Sequence, residues 1–177
     1  MSDASAPSYL IGPEECEAFL AEFEAGAVPS AEWTHQAHIA MATVYLSRYG
    51  DSVLPHTRAA LRNHLLSRGK PVGLYHETLT ILWLAVVAEA MQKHEGLPQY
   101  EVVQRICAVF GSQSKLHELY YSFDVFNSPE AHVRWVPPDL LPLTVPFPTD
   151  LKTLKKFSPP DTLLTVCCQQ PRTTLRL

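Results

Sequence analysis

Residues 75–93 read YHETLTILWLAVVAEAMQK, and nearly every position over 79–91 is apolar. On a helix these side chains cover all faces instead of one stripe. A helix that is apolar all round is usually buried at the centre of a domain. The stretch is too short to cross a bilayer, which needs about 20 apolar residues. We therefore predict a central core helix over 75–93.

The segments on either side show apolar residues at helical spacing, bounded by capping residues, prolines and glycines. The additional predicted helices span 13–25, 32–49, 53–69, 98–111 and 112–123, and a short last helix begins at Ser128-Pro129. No run alternates strictly between apolar and polar residues, so no sheet is expected. The predicted fold is all-α, an up-and-down bundle of six to seven helices with an extended, proline-rich C-terminal tail.

Prolines dominate the chain after Val136 and exclude long helices there, standing at 137, 138, 142, 146, 148, 159, 160 and 171. The predicted organisation is an N-terminal arm at 1–12, a helical domain at 13–136 and a tail at 137–177. Up to about Leu151 the tail is apolar enough to lie in a groove of the bundle. Beyond that point we expect it to be disordered or to pack on another subunit, as in a homodimer.

Composition narrows the class of protein. The 177 residues suit one domain, with 46% hydrophobic and 18% charged residues and a net charge of −4. The negative charge argues against a general nucleic-acid or membrane-surface binder. None of the four cysteines forms a CxxC pair, and the N-terminus lacks the features of a signal peptide. We expect a cytoplasmic protein with free thiols.

Three histidine motifs stand at the starts of the second, fourth and sixth predicted helices. They are Trp33-Thr34-His35-Gln36-Ala37-His38, Tyr75-His76-Glu77-Thr78 and Lys115-Leu116-His117-Glu118. The even-numbered helices of an up-and-down bundle run in the same direction, so these N-termini should gather at one end. Such an arrangement suits a metal site or an anion pocket. The positive end of each helix dipole also favours neutral imidazole over imidazolium.

The first motif places His35 and His38 on one helical face, in line with the inward-facing Ile39. Two inward imidazoles one turn apart are a standard way to hold a divalent metal. The alternative is that one histidine is a satisfied core residue and the other is exposed. The histidines outside the motifs, His56, His64, His94 and His132, are expected to be solvated.

In the second motif, His76 and the adjacent Glu77 both lie above apolar rows. A carboxylate in such a place is normally paired, metal-bound or catalytic, unless it only complements the helix dipole in contact with water. In the third motif His117, Tyr121 and Asp124 form a polar row. That row is either a solvated face or part of the same site.

The strings WxHxxH at 33–38, YHETLT at 75–80, YYS at 120–122 and WVPPDL at 135–140 are similar to those of a group of small bacterial proteins without an assigned activity. The similarity covers about 31–143 and implies no reaction. The chain also resembles, more weakly, the all-helical HD-domain phosphohydrolases. In that comparison His38, His76-Glu77 and Asp124 take the ligand positions, with Glu77 where that family has Asp.

Three functional hypotheses follow. The leading one is a metal-dependent hydrolase or oxidoreductase acting on a small molecule. Its ligands would be His35, His38, His76 and His117, with Glu77 as ligand or general base and Tyr121 as proton donor or substrate contact. Zn, Fe, Mn and Ni all suit such ligands. The second is a metal-free pocket for an anion or small ligand, in a sensor or an acid–base enzyme. The third is a structural or partner-binding protein.

Overall fold

The computed structural model describes residues 7–143, which are built from helices and connecting turns without a strand in that range. The α-helices are α1 Pro13–Glu24, α2 His35–Tyr49, α3 Val53–Ser67, α4 Glu77–Met91, α5 Gln99–Phe110 and the short α6 Pro129–Val133. Short 3-10 helices occupy Ser8–Leu10, Gly50–Ser52, Val72–Leu74, Gln92–His94 and Leu116–Leu119. Among the described helices, none combines the length and apolarity that crossing a membrane requires.

The prediction of an all-α fold with a buried helix at its centre is confirmed. From Leu84 to Ala90 every side chain of α4 is buried, including the carboxylate-bearing Glu89. Helix α2 packs against α3, α4 and α5, and its residues 39–45 are all buried. The core therefore forms around α2 and α4, and the other elements cover these two helices.

Local sequence signals account for several helix ends. The Thr34 side chain caps α2 by accepting a hydrogen bond from the Ala37 N–H, and Ser128 caps α6 through the Ala131 N–H. Gly26, which follows α1, has a φ of +70°, a conformation that favours glycine. These ends agree with the predicted ones to within a few residues.

The predicted sixth helix at 112–123 is wrong. The only helical part is the 3-10 turn Leu116–Leu119. The Tyr120 carbonyl, which an α-helix would use internally, instead accepts the backbone N–H groups of Asp139 and Leu140. The Asp139 carboxylate also accepts hydrogen bonds from the N–H and hydroxyl of Ser122. Contacts with a distant segment therefore satisfy the backbone in place of helical bonds.

The ends of the described range pack on the helices. Tyr9, in the predicted N-terminal arm, is buried with its ring 4.6 Å from that of Phe19. After α6, Trp135 and Leu141 are partly buried against the core, whereas Leu140 is exposed. The predictions for the tail from residue 144 onward lie outside the described residues.

Thr78 joins this last segment to the start of α4. Its hydroxyl donates to the Arg134 carbonyl at 2.7 Å and accepts the Val136 N–H at 3.0 Å, and the side chain is fully buried. One hydroxyl thus satisfies two backbone groups that approach the core.

We predict that Thr78→Val lowers the free energy of unfolding by about 1–3 kcal/mol, because both backbone groups lose their partner. Thr43→Val is the matched control. Thr43 is equally buried, but its hydroxyl bonds only to the Ile39 carbonyl of its own helix. The control should lose clearly less in urea denaturation, because a hydroxyl bond to the carbonyl four residues earlier adds little to a helix. Equal losses in the two variants would contradict the assignment.

Candidate functional site

A pocket of about 710 Å³ lies between the start of α2, the second half of α3 and the first half of α4, with the segment 114–126 at its side. Apolar and aromatic side chains make up much of its wall, among them Trp33, Leu61, Leu65, Leu74, Leu79, Trp83 and Phe126. Five histidines also line it, namely His35, His38, His64, His76 and His117. Its size and lining are typical of a site for a small organic molecule.

The start of α2 supplies two of these histidines, and each is held by a backbone carbonyl. His35 bonds through Nε2 to the Phe110 carbonyl at 3.1 Å, and His38 bonds through Nδ1 to the Thr34 carbonyl at 2.7 Å. A carbonyl only accepts, so the bonded ring nitrogen carries the proton and the other nitrogen has a lone pair. Aromatic contacts hold the rings further: that of His38 lies 4.2 Å from Trp33 and that of His35 4.7 Å from Trp83.

The pocket walls keep these imidazoles neutral. Burial lowers the pKa of His35, despite its bond to the Phe110 carbonyl, and lowers the pKa of His38 to about 4. His38 is only partly buried, but the part of its surface that remains accessible faces the pocket, where protein atoms surround it. Neutral imidazole is the form that accepts a proton or a hydrogen bond.

His64 was expected to be solvated, but it is only 3% exposed and lines the pocket. Its ring packs against the stacked pair of Phe23 and Trp33, with ring centroids 5.1 and 4.5 Å away. Its Nε2 accepts from the Arg68 Nε at 3.2 Å. The sequence did carry a signal for it, because Leu61, His64 and Arg68 follow one another at spacings of three and four residues along the inner face of α3.

His76 is the N-terminal capping residue of α4, and both of its ring nitrogens are in use. Its Nδ1 accepts from the Leu79 N–H at 3.2 Å and its Nε2 donates to the Val125 carbonyl at 3.0 Å. Burial lowers the pKa of His76, and the bond to Val125 opposes that effect. His76 therefore lines the pocket as a fixed, neutral ring that also starts the central helix.

Glu77 follows His76 but does not line the pocket. Its carboxylate is 6% exposed and accepts hydrogen bonds from the Arg58 Nε at 3.1 Å, from the other end of that guanidinium and from the Tyr75 hydroxyl at 2.7 Å. Burial acts to raise the pKa of Glu77, but the bonds from Arg58 and Tyr75 and the Arg58 charge outweigh it and lower the pKa. Of the roles considered for this carboxylate, the structure shows pairing with a cation.

The three residues of the predicted polar row, His117, Tyr121 and Asp124, do not lie together. His117 lines the pocket on the 3-10 turn, with Nδ1 bonded to the Ser114 carbonyl at 3.1 Å. Tyr121 is buried outside the pocket lining and donates its hydroxyl to the Val136 carbonyl at 2.8 Å. Asp124 is exposed and accepts from Asn127. The predicted polar row is absent because the helix that would have carried it does not form.

The structure has no preformed cluster of metal ligands among the described residues. Within residues 7–143, no three His, Cys, Asp or Glu side chains are close enough together to hold a metal ion. Asp124, the last ligand position of the HD-like comparison, is not part of the pocket lining. The metal ligands named from the sequence therefore stay a prediction.

No protein-family model, curated protein or solved structure matches this chain. The likeness to small bacterial proteins, like that to HD-domain phosphohydrolases, stays a prediction from the sequence motifs.

We predict that Glu77→Gln lowers the free energy of unfolding by about 2 kcal/mol near neutral pH, because a neutral amide pairs poorly with Arg58. The half-exposed Arg58 keeps the loss below that of a fully buried pair. Folding lowers the pKa of Glu77, so its contribution is complete above its ordinary value of 4.5 and is lost as the pH falls through the folded value. The difference in the free energy of unfolding between wild type and variant should therefore shrink as the pH falls below 4.5.

The matched control is Glu130→Gln, which removes the charge from the exposed pair with Arg134. It should cost less than about 1 kcal/mol at any pH. Denaturation curves between about pH 7 and 3.5 measure both variants. If Glu77→Gln costs no more than the control, Glu77 does not anchor the start of α4.

We predict that His38 makes the protein less stable in acid. The unfolded chain takes up a proton at His38 near the ordinary pKa of 6.5, whereas the folded protein takes it up only near 4. Stability therefore falls as the pH drops between these values, by on the order of 1–2 kcal/mol after discounting for solvent screening. His38→Asn keeps a donor for the Thr34 carbonyl and should flatten this slope. His56→Asn is the control, since exposed His56 makes the same bond to the carbonyl four residues earlier. Parallel slopes for wild type and His38→Asn would contradict the prediction.

Proposed function

We propose that this protein binds a small, mostly apolar organic molecule in the pocket between α2, α3 and α4. The observation that carries the proposal is the pattern of burial along α4. Over residues 77–90 every side chain is buried except Leu79, Thr80 and Trp83. These three line the pocket. A bound molecule would cover the one face of the central helix that protein side chains leave open.

The energetics favour such binding. Protein interiors are packed about as densely as organic crystals, so a large cavity beside an otherwise buried helix is unusual for a purely structural domain. Transfer of apolar surface from water contributes about 25 cal/mol per Å². Trp33 and Trp83 offer broad aromatic surfaces on which a ring of the ligand can pack.

The histidines supply polar groups with fixed orientation. His35, His38 and His117 each use one ring nitrogen on a backbone carbonyl, which leaves the second nitrogen to accept a hydrogen bond from a ligand hydroxyl or amine. Because the rings are held before the ligand arrives, little freedom is lost on binding. The neutral imidazoles of His35 and His38 also suit an acid–base reaction on the bound molecule, so a sensor and a cofactor-independent enzyme are both compatible with the site.

The metal-dependent enzyme is the second candidate. Its support is that a metal-binding histidine commonly donates its other N–H to a backbone carbonyl, as His35, His38 and His117 do. Within the described residues these rings are not close enough together to bind one ion, so they would have to move toward each other. His76 would have to give up the bond that caps α4. The geometry therefore supports the organic ligand better.

We predict that naphthylacetamide, a neutral aromatic probe, binds with a stoichiometry of one per chain and raises the melting temperature, because a ligand that binds only the folded state stabilises it. Ala42→Phe should weaken binding by at least about tenfold, since Ala42 lines the pocket and the larger ring fills it. Ala59→Phe is the matched control, as Ala59 is exposed on α3 outside the pocket lining. Titration calorimetry measures all three proteins.

Metal analysis of protein purified without a histidine tag distinguishes the two candidates. The ligand-binding proposal predicts that the probe binds equally well before and after treatment with a chelator. A stoichiometric transition metal that is lost in His35→Ala, combined with no probe binding, would favour the enzyme. Probe binding that Ala42→Phe leaves unchanged would place the site elsewhere.

A further inference from the structure

The charged side chains that line the pocket are all cationic, although the exposed Lys115 also pairs with Glu118 outside the lining. Its lining contains three cationic residues, Arg68, Lys70 and Lys115, and no aspartate or glutamate. The chain as a whole carries a net charge of −4. A cleft lined by cations in an acidic protein concentrates anions from solution. The cationic lining therefore indicates that the ligand carries a negative charge in addition to an apolar part.

Three other arginines form ion pairs with glutamates, and Arg68 differs from them in its partners. Arg48 pairs with Glu17, Arg58 with Glu77 and Arg134 with Glu130. Arg68 is half-buried, and within residues 7–143 it donates only to neutral partners, through Nε to His64 and through Nη1 to the Ser30 hydroxyl. A guanidinium has five N–H donors in a planar fork, so several remain for an acceptor. That fork matches the two oxygens of a carboxylate.

The partner of Arg68 adds an independent observation. His64 is only 3% exposed, and its Nδ1 has no hydrogen-bond partner among residues 7–143. With Nε2 accepting from Arg68, the proton of the neutral ring lies on Nδ1. A buried donor without a partner is uncommon in folded proteins and calls for a structural or functional reason. The buried His64 imidazole thus orients the Arg68 guanidinium while its own Nδ1 donor has no partner among the described residues.

We infer that the ligand of this pocket is an apolar monocarboxylate, bound with its carboxylate on the Arg68 guanidinium and its apolar body along Leu61 and Trp83. This inference rests on the proposed function, since it needs the pocket to bind a small molecule. Lys70, two residues after Arg68 in the chain, adds a second positive charge to the lining. His64 and Ser30 act as positioning residues, because each holds Arg68 through one hydrogen bond.

The test compares naphthylacetate with naphthylacetamide, which have the same shape and differ in charge. Wild type should bind the acid at least about tenfold more tightly than the amide, as expected for a charge-assisted, bidentate pair. Arg68→Met should lose that preference while its affinity for the amide changes by less than about twofold. Arg68→Lys, which keeps the charge without the fork, should retain part of the preference. Arg105→Met, at an exposed position on α5, is the control and should behave as wild type.

The outcomes separate this inference from the proposed function. If wild type binds acid and amide equally, the pocket is a ligand site but the carboxylate assignment is wrong. The same conclusion follows if Arg68→Met keeps the preference for the acid. If wild type binds neither compound, the proposed function fails and the inference fails with it. Should Arg68→Met not fold, the wild-type comparison and Arg68→Lys still decide the matter.

Discussion

The need to cover α4 on all sides determines the rest of the structure. This helix is apolar around its whole circumference, so exposure of any face to water costs free energy in proportion to the area exposed. Helices α2, α3, α5 and α6 all contact it. They bury every side chain from Leu84 to Ala90, whereas Leu79, Thr80 and Trp83 remain partly open. The pocket is thus a consequence of incomplete cover over one face of the central helix.

The polar groups at the start of α4 hold that open end in place. His76 caps the helix, Thr78 attaches the segment after α6, and Glu77 pairs with Arg58 of α3. The bonds of Thr78 and Glu77 join α4 to two other parts of the chain, and the Nε2 of His76 joins it to a third through the Val125 carbonyl. Side chains that a sequence motif suggests for catalysis, such as Glu77, here fix the walls between which a ligand would lie. A binding site keeps its geometry only if such supporting bonds hold the groups that touch the ligand in place.

Residue patterns alone were sufficient to predict the helical class, the buried position of α4 and most helix ends. These features depend on short-range spacing and capping, which the local sequence records. The helix at 112–123 was wrongly predicted because the Tyr120 carbonyl and Ser122 bond to residues near Asp139, a contact that local spacing does not reveal. Tyr121, predicted as a proton donor or substrate contact, lies outside the pocket lining and donates its hydroxyl to the Val136 carbonyl. His64 was assigned to solvent from its neighbours in sequence, whereas its burial depends on Phe23 and Trp33 from other segments.

The three tryptophans allow a direct test of the pocket as a ligand site. Trp33 and Trp83 line the pocket, and Trp135 lies outside its lining on the segment after α6. Each indole N–H gives its own signal in a proton–nitrogen NMR spectrum, which can be followed during titration with naphthylacetamide. The account predicts saturable shifts of the Trp33 and Trp83 signals while that of Trp135 stays in place. Signals of Trp33 and Trp83 that do not move at saturating probe, or a shift confined to Trp135, would contradict it.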